Sequence, residues 1–278
     1  MKNLTKLFFL FISATVLAQS PWTKEKGMFY TQLSFTTISN YDTLFGNPEY
    51  NTERKVTDNT FQFYGEYGLS SKTTLIVNLP LKLIKTGGLV STATIPAFTT
   101  EGSKTSLGNI EIGLKHNFSN KNWVLSGQFS VEANTGSFDA ASGIRTGYDA
   151  WSFTPLFLAG KSFGKTYLQT FIGGTYRTNN YSSNFKIGGE YGGKIYKNIW
   201  LIGFVDVVKS FKNGNAVLQN TNLATGLYVN DQEYGGFGAK AIYEFNNKFG
   251  VNAGFGGAFF GNNVAKAPAL TFGMYHKF

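Results

Sequence analysis

Residues 123–134 read Trp-Val-Leu-Ser-Gly-Gln-Phe-Ser-Val-Glu-Ala-Asn, and residues 185–196 read Phe-Lys-Ile-Gly-Gly-Glu-Tyr-Gly-Gly-Lys-Ile-Tyr. In the first stretch Trp123, Leu125, Phe129 and Val131 alternate with Ser126, Gln128, Ser130 and Glu132. In the second, Phe185, Ile187, Tyr191 and Ile195 alternate with Lys186, Glu190 and Lys194. Successive side chains of a strand point to opposite faces, so each stretch has one oily face and one polar face. Working outward, the same period of two covers Phe61 to Tyr67 and Leu75 to Leu83.

About twelve such segments follow one another, beginning near Gly27, Asp58, Lys72, Thr105, Asn122, Ala150, Lys165, Asn184, Asn198, Gln232, Lys248 and Ala267. Each runs roughly 11 to 14 residues, longer than the usual soluble strand and enough to cross a bilayer at a tilt. Connections alternate in length. Short ones fall at Leu69–Ser71, Ser119–Lys121, Phe163–Gly164, Tyr196–Lys197 and Asn246–Asn247, and long ones at Tyr41–Thr57, Thr86–Lys104, Thr135–Asp149 and Phe211–Asp231. The pattern predicts an all-β fold, a transmembrane antiparallel up-and-down β-barrel of about 12 strands, with short periplasmic turns and longer extracellular loops.

Composition agrees. The 278 residues are 42% apolar and 17% aromatic but only 15% charged, with 33 Gly and no Cys. A soluble domain carries about 25% charged residues. Mean hydropathy is nonetheless −0.13, which excludes a bundle of apolar membrane helices. The absence of Cys excludes disulfide scaffolds, thiolate zinc sites and cysteine nucleophiles. At the N-terminus, Lys2 and Lys6 precede an apolar stretch, Leu7–Leu17, that ends in Val16-Leu17-Ala18. Basic, apolar and small residues in that order predict a signal peptide over residues 1–18, leaving residues 19–278 as a single outer-membrane β-barrel of a Gram-negative bacterium.

Aromatic residues flank the short turns: Tyr67, Phe118, Trp123, Phe163, Tyr167, Tyr196, Trp200, Phe245 and Phe249, joined by the terminal Phe278. They are expected to form the periplasmic aromatic girdle among the outer-membrane lipid headgroups. Leu270, Phe272, Met274, His276 and Phe278 alternate up to the last residue. This end resembles the C-terminal signal that such proteins present to the β-barrel assembly machinery.

The opposite parity is expected to line the lumen with Glu66, Lys82, Glu111, Lys115, Glu132, Arg177, Lys186, Glu190, Lys194, Asp206, Lys240 and Glu244. Two readings stand for this set: a lattice of ion pairs that fills the barrel, or a polar conduit of mixed charge. Pairing across the Tyr196–Lys197 turn also brings Glu190 near Asp206 unless a lysine separates them. Twelve tilted strands enclose a cylinder about 26 Å across, of which side chains leave about 10 Å or less. The segment between Gln19 and Gly27 is too short for a plug domain.

Nothing here has the form of an active site. A hydrolase in an outer-membrane barrel needs a base beside a nucleophile, and the two histidines, His116 and His276, fall on the oily parity near the turns. No cofactor or metal ligand set is expected, and the net charge of +9 is not organised as a nucleic-acid surface.

Two stretches resemble the family of outer-membrane barrels named for the MetA pathway of phenol degradation, which includes transporters. They are Glu66-Tyr67-Gly68-Leu69 with Thr73-Thr74-Leu75 and Leu79-Pro80, and Leu107-Gly108-Asn109-Ile110-Glu111-Ile112-Gly113-Leu114-Lys115. The family usually has Asp where this chain has Asn109. The resemblance implies a barrel that transports hydrophobic solutes or has no assigned role; the name does not make phenols the substrate. The expected function is a passive channel or transporter for small, in part hydrophobic, solutes. The alternative is a non-conducting barrel with a structural or surface-interaction role.

Overall fold

The computed structural model describes residues 19–89 and 99–278. The expected signal peptide and most of the Thr86–Lys104 loop lie outside the described residues. The described residues form fourteen strands: β1 (Phe29–Phe45), β2 (Tyr50–Ser70), β3 (Thr73–Thr86), β4 (Gly102–Leu107), β5 (Glu111–Asn120), β6 (Val124–Glu132), β7 (Ser152–Ser162), β8 (Thr166–Arg177), β9 (Asn184–Tyr196), β10 (Ile199–Ser210), β11 (Glu233–Glu244), β12 (Phe249–Asn262), β13 (Val264–Ala265) and β14 (Ala269–Lys277). One short helix, α1 (Asn220–Leu223), lies between β10 and β11.

Neighbours along the chain pair antiparallel, and β14 closes the cylinder on β1 from Tyr30↔Lys277 to Ile38↔Ala269. The barrel has twelve staves. β4 and β5 are two parts of one stave, pairing with β3 at Leu81–Thr86 and Thr73–Asn78 respectively. β13 and β14 likewise share the stave beside β1. Among the described residues every stave pairs with a neighbour on each side, so the cylinder has no open edge stave, as a bilayer requires.

Outward positions are apolar and exposed, among them Leu33, Phe61, Ile112, Leu114, Phe129, Ile187, Leu201, Val205 and Phe272. A contiguous apolar surface of this kind has no stable place in water, and around a closed barrel it is the lipid-facing belt. Cross-strand pairs reinforce it, with the Phe35 and Phe61 rings 4.8 Å apart in register.

One long loop is mostly strand. β1 runs to Phe45 and β2 starts at Tyr50, so the expected Tyr41–Thr57 loop is a tall hairpin with a tip at residues 46–49. Its inward face, Thr52, Arg54 and Val56, is buried, while Asn51, Glu53 and Lys55 are exposed. Water instead of lipid meets that outer face, which is why the apolar half of the alternation is missing there.

Candidate functional site

Both ends of the barrel are filled from within. At the turn end, residues 19–26 run inside the cylinder before a turn, with Met28 N donating to Glu25 O (3.0 Å), leads into β1. Lys115 Nζ donates to Ser20 O (2.9 Å), Ser126 Oγ to Pro21 O (2.5 Å), and the Lys24 backbone N–H to Thr74 Oγ1 (2.8 Å). The Trp22 ring meets Tyr167 edge-on at 5.9 Å. The segment crosses β2 so closely that a Cβ on Gly68 would stand 1.9 Å from Glu25 O. Glu66 is the charged centre of this anchorage. Its carboxylate takes Lys115 at 2.8 Å, Lys24 at 3.0 Å and the Tyr64 hydroxyl at 3.0 Å.

At the loop end, the segments 133–151 and 211–232 fold inward over the mouth. Ile144 and Leu227 join Tyr41, Leu44, Val56, Ile84 and Ala267 in a buried apolar cluster. Arg54, 1% exposed, ties this cap to the wall: Nη1 donates to Thr99 Oγ1 and Thr100 O, and Nη2 to Ser142 O. The two cap segments bind each other through Thr225 Oγ1 to Gly143 O (3.2 Å) and Arg145 Nε to Asn222 Oδ1 (3.2 Å).

Asn109, between β4 and β5, knots the cap to the lumen. Its Nδ2 donates to Glu132 Oε1 (3.0 Å) and Tyr148 O (2.9 Å), and its Oδ1 accepts from Gly136 N (2.9 Å). A carboxylate could offer neither donor.

Between the two closures lie two chambers. The larger, about 480 Å³, is on the turn side, and Trp22, Tyr30, Tyr167, Trp200, Phe204 and Tyr275 are among its walls. The smaller, about 250 Å³, lies beneath the cap and is more polar. Glu66, Glu190 and Lys240 line the larger chamber; Lys82, Glu111, Glu132, Arg177, Lys186 and Asp206 line the smaller. Lys115 is fully buried behind Glu66, and Lys194 pairs with Glu244 at 2.8 Å. Lys82 is held by Asp58, a partner the sequence did not single out, with two contacts of 2.8 Å.

Glu190 and Asp206 do not face each other in register: Glu190 pairs with Phe204, and Asp206 with Gly188. Each carboxylate has its own partner, the Tyr167 hydroxyl at 2.6 Å for Glu190 and the Tyr234 hydroxyl at 3.1 Å for Asp206.

Of the expected girdle, Phe118, Trp123, Phe163, Tyr196, Phe245 and Phe278 are exposed near the turns. Tyr67 packs on Phe29 with ring centroids 4.3 Å apart, and Phe249 stacks on Phe245 at 5.4 Å. Tyr167 and Trp200 do not belong to it. Both turn inward and line the larger chamber. Proximity to a turn suggested the girdle, but strand parity rules: Tyr167 is ten residues before the inward Arg177, and Trp200 six before the inward Asp206. A register shift between Ile199 and Trp200 sets Trp200 opposite Lys194, whose Nζ lies 5.5 Å from its ring centroid. His116 is exposed, bonded to Thr73 Oγ1 (2.9 Å), and His276 packs edge-on against Phe278 at 4.0 Å.

No family model matches this chain, and no curated protein matches it in sequence. Solved structures match in fold. The COG4313 outer membrane channel from Pseudomonas putida F1 superposes with a TM-score of 0.68 at 14% identity, covering 95% of this chain and 100% of that one. The translocator domain of autotransporter NalP from Neisseria meningitidis gives 0.54 at 13% identity, covering 91% and 90%. The KdgM porin gives 0.52 at 6% identity, covering 89% and 99%. At these identities the likeness establishes one thing, a closed twelve-stave barrel of the outer-membrane type.

Proposed function

We propose that this protein is a passive channel for small solutes, in part hydrophobic ones, in the outer membrane of a Gram-negative bacterium. The observation that carries the reading is the chamber of about 480 Å³ inside the closed barrel, with both aromatic and charged groups in its lining. A space of that size accommodates a small molecule, and a barrel that served only as a support would have no use for it. The fold shared with the channel and porin structures supports transport as the class of activity. The resemblance to the MetA-pathway barrels supports hydrophobic solutes, without selecting phenols.

In this reading the short-turn end faces the periplasm and the capped end faces outward. Residues 1–18 direct export, the apolar belt contacts outer-membrane lipid, and β14 with Phe278 is the part offered to the assembly machinery. The histidines stand on the outer surface, away from both chambers, so the interior offers no imidazole base. The two inner closures favour a second reading, a non-conducting barrel with a structural or surface role. Single-channel recording of the refolded protein separates the two. Discrete conductance, together with swelling of vesicles in small sugars or alcohols, is the result expected of a channel, and a silent bilayer refutes it.

A further inference from the structure

The larger chamber holds more cations than acids. Lys24 and Lys115 share Glu66, Lys240 stands 3.8 Å from Glu190, and Lys277 at the mouth makes no ion pair among the described residues. Three ammonium groups line the chamber and Lys115 lies buried behind Glu66, so against the two lining carboxylates this group leaves two positive charges unbalanced. The adjoining Lys194–Glu244 pair is neutral and does not alter this. In a confined space with low-dielectric walls, such an excess concentrates anions.

Of the three that pair with a carboxylate, Lys240 is the most loosely held. A charge-assisted N–H···O bond is normally 2.7–2.9 Å long, so 3.8 Å is a loose pairing, and Glu190 already takes the Tyr167 hydroxyl at 2.6 Å. The Lys240 side chain keeps 23% of its surface exposed and lies opposite Ile202 in register. Beside it the chamber wall is Trp200, Ile202 and Phe204. One under-used ammonium next to an apolar, aromatic wall is complementary to a molecule with one negative end and an oily body.

We propose that the larger chamber binds small monocarboxylates with an apolar body, the carboxylate at Lys240 Nζ and the body against Trp200, Ile202 and Phe204. This deepens the channel reading and rests on it for its physiological meaning, but binding can be read without conduction. Two of the four tryptophans, Trp22 and Trp200, line the chamber. Trp123 and Trp151 are exposed elsewhere and are replaced by Phe to give a clean reporter. Phenylacetate, 2-phenylethanol and 2-phenylethylamine, matched in size and differing in charge, are titrated against tryptophan fluorescence of the refolded protein at pH 7.

Phenylacetate should bind about tenfold or more tightly than the alcohol and the amine. Lys240→Met should remove that preference, and Glu190→Gln, which frees the ammonium, should tighten phenylacetate binding. Equal binding of the three probes, no binding at all, or an unchanged preference in Lys240→Met each overturns the proposal. Should Lys240→Met fail to fold, the sign of the Glu190→Gln effect decides: weaker or unchanged phenylacetate binding overturns it. Carboxylate binding with a silent bilayer would remove the channel reading and leave this site standing. Conductance without carboxylate preference would do the reverse.

Discussion

Replacing Glu66 by Gln tests how the turn-end segment is held. In the native protein one carboxylate, 5% exposed, compensates two ammonium groups: Lys115, fully buried, at 2.8 Å, and Lys24, 30% exposed, at 3.0 Å. Gln removes the negative charge and leaves both cations against a neutral amide. Removing one partner of a buried ion pair costs about 3–5 kcal/mol, because the remaining charge stays desolvated. Part of this is relieved if the inner segment leaves, since Lys24 departs with it and water reaches Lys115. The docked state should lose about 3 kcal/mol relative to the released one, a shift of about a hundredfold in their ratio. Hydrogen exchange at the backbone amides of residues 22–26 reads this directly, and should accelerate while the strand amides stay protected. The double variant Glu66→Gln/Lys115→Met replaces the buried pair by neutral groups and should recover much of the protection, as a double-mutant cycle would report. Unchanged exchange in Glu66→Gln would show that the hydrogen bonds from Ser126 Oγ to Pro21 O and from the Lys24 N–H to Thr74 Oγ1 hold the segment without help from charge, and the reasoning would fail.

Two further substitutions probe other parts of the barrel. Val205→Lys places an ammonium in the middle of β10 on the exposed apolar belt; refolding into phospholipid vesicles, followed by urea titration, should show a loss of about 2–4 kcal/mol, and a loss near zero would take that face out of the bilayer. Asn109→Asp sets a further carboxyl against Glu132 and removes both donors; it should cost about 2–4 kcal/mol and expose residues 136–147 to exchange, while retained protection would show that the amide is not the knot.

The barrel was legible because a lipid-facing wall and a polar lumen impose a period of two on almost every stave. The ionisable lumen set follows from the same parity. Where legibility failed, the period was absent or was set aside. Around Asn51–Lys55 both faces of β2 are polar, one meeting water and the other the cap, so the strand looked like a loop. Tyr167 and Trp200 were assigned by their distance from a turn, although parity with Arg177 and Asp206 already placed them inside. Residues 19–26 have no period, and their hold on the wall comes from Lys115, Ser126 and Thr74, far away in sequence. The cap joins Ile144 and Leu227 to Val56 and Ile84 through contacts that no local pattern encodes.

The two closures lie in series along one lumen, and this has a consequence for permeation. Barriers in series add as resistances, so where the two are comparable, opening one alone leaves the other to limit the flux. Gly143→Val acts on the cap. Gly143 has φ +71°, and its added Cβ would stand 1.9 Å from Thr221 O, so the substitution is strained by backbone conformation and by contact at once. It should separate segment 133–151 from α1 and loosen the cap, as Glu66→Gln loosens the turn-end segment. Each single variant should then raise single-channel conductance modestly, and Gly143→Val/Glu66→Gln should raise it by more than the two increments together. If either single variant alone reached the conductance of the double, the other closure would not obstruct the lumen, and the path through the protein would run past only one of them.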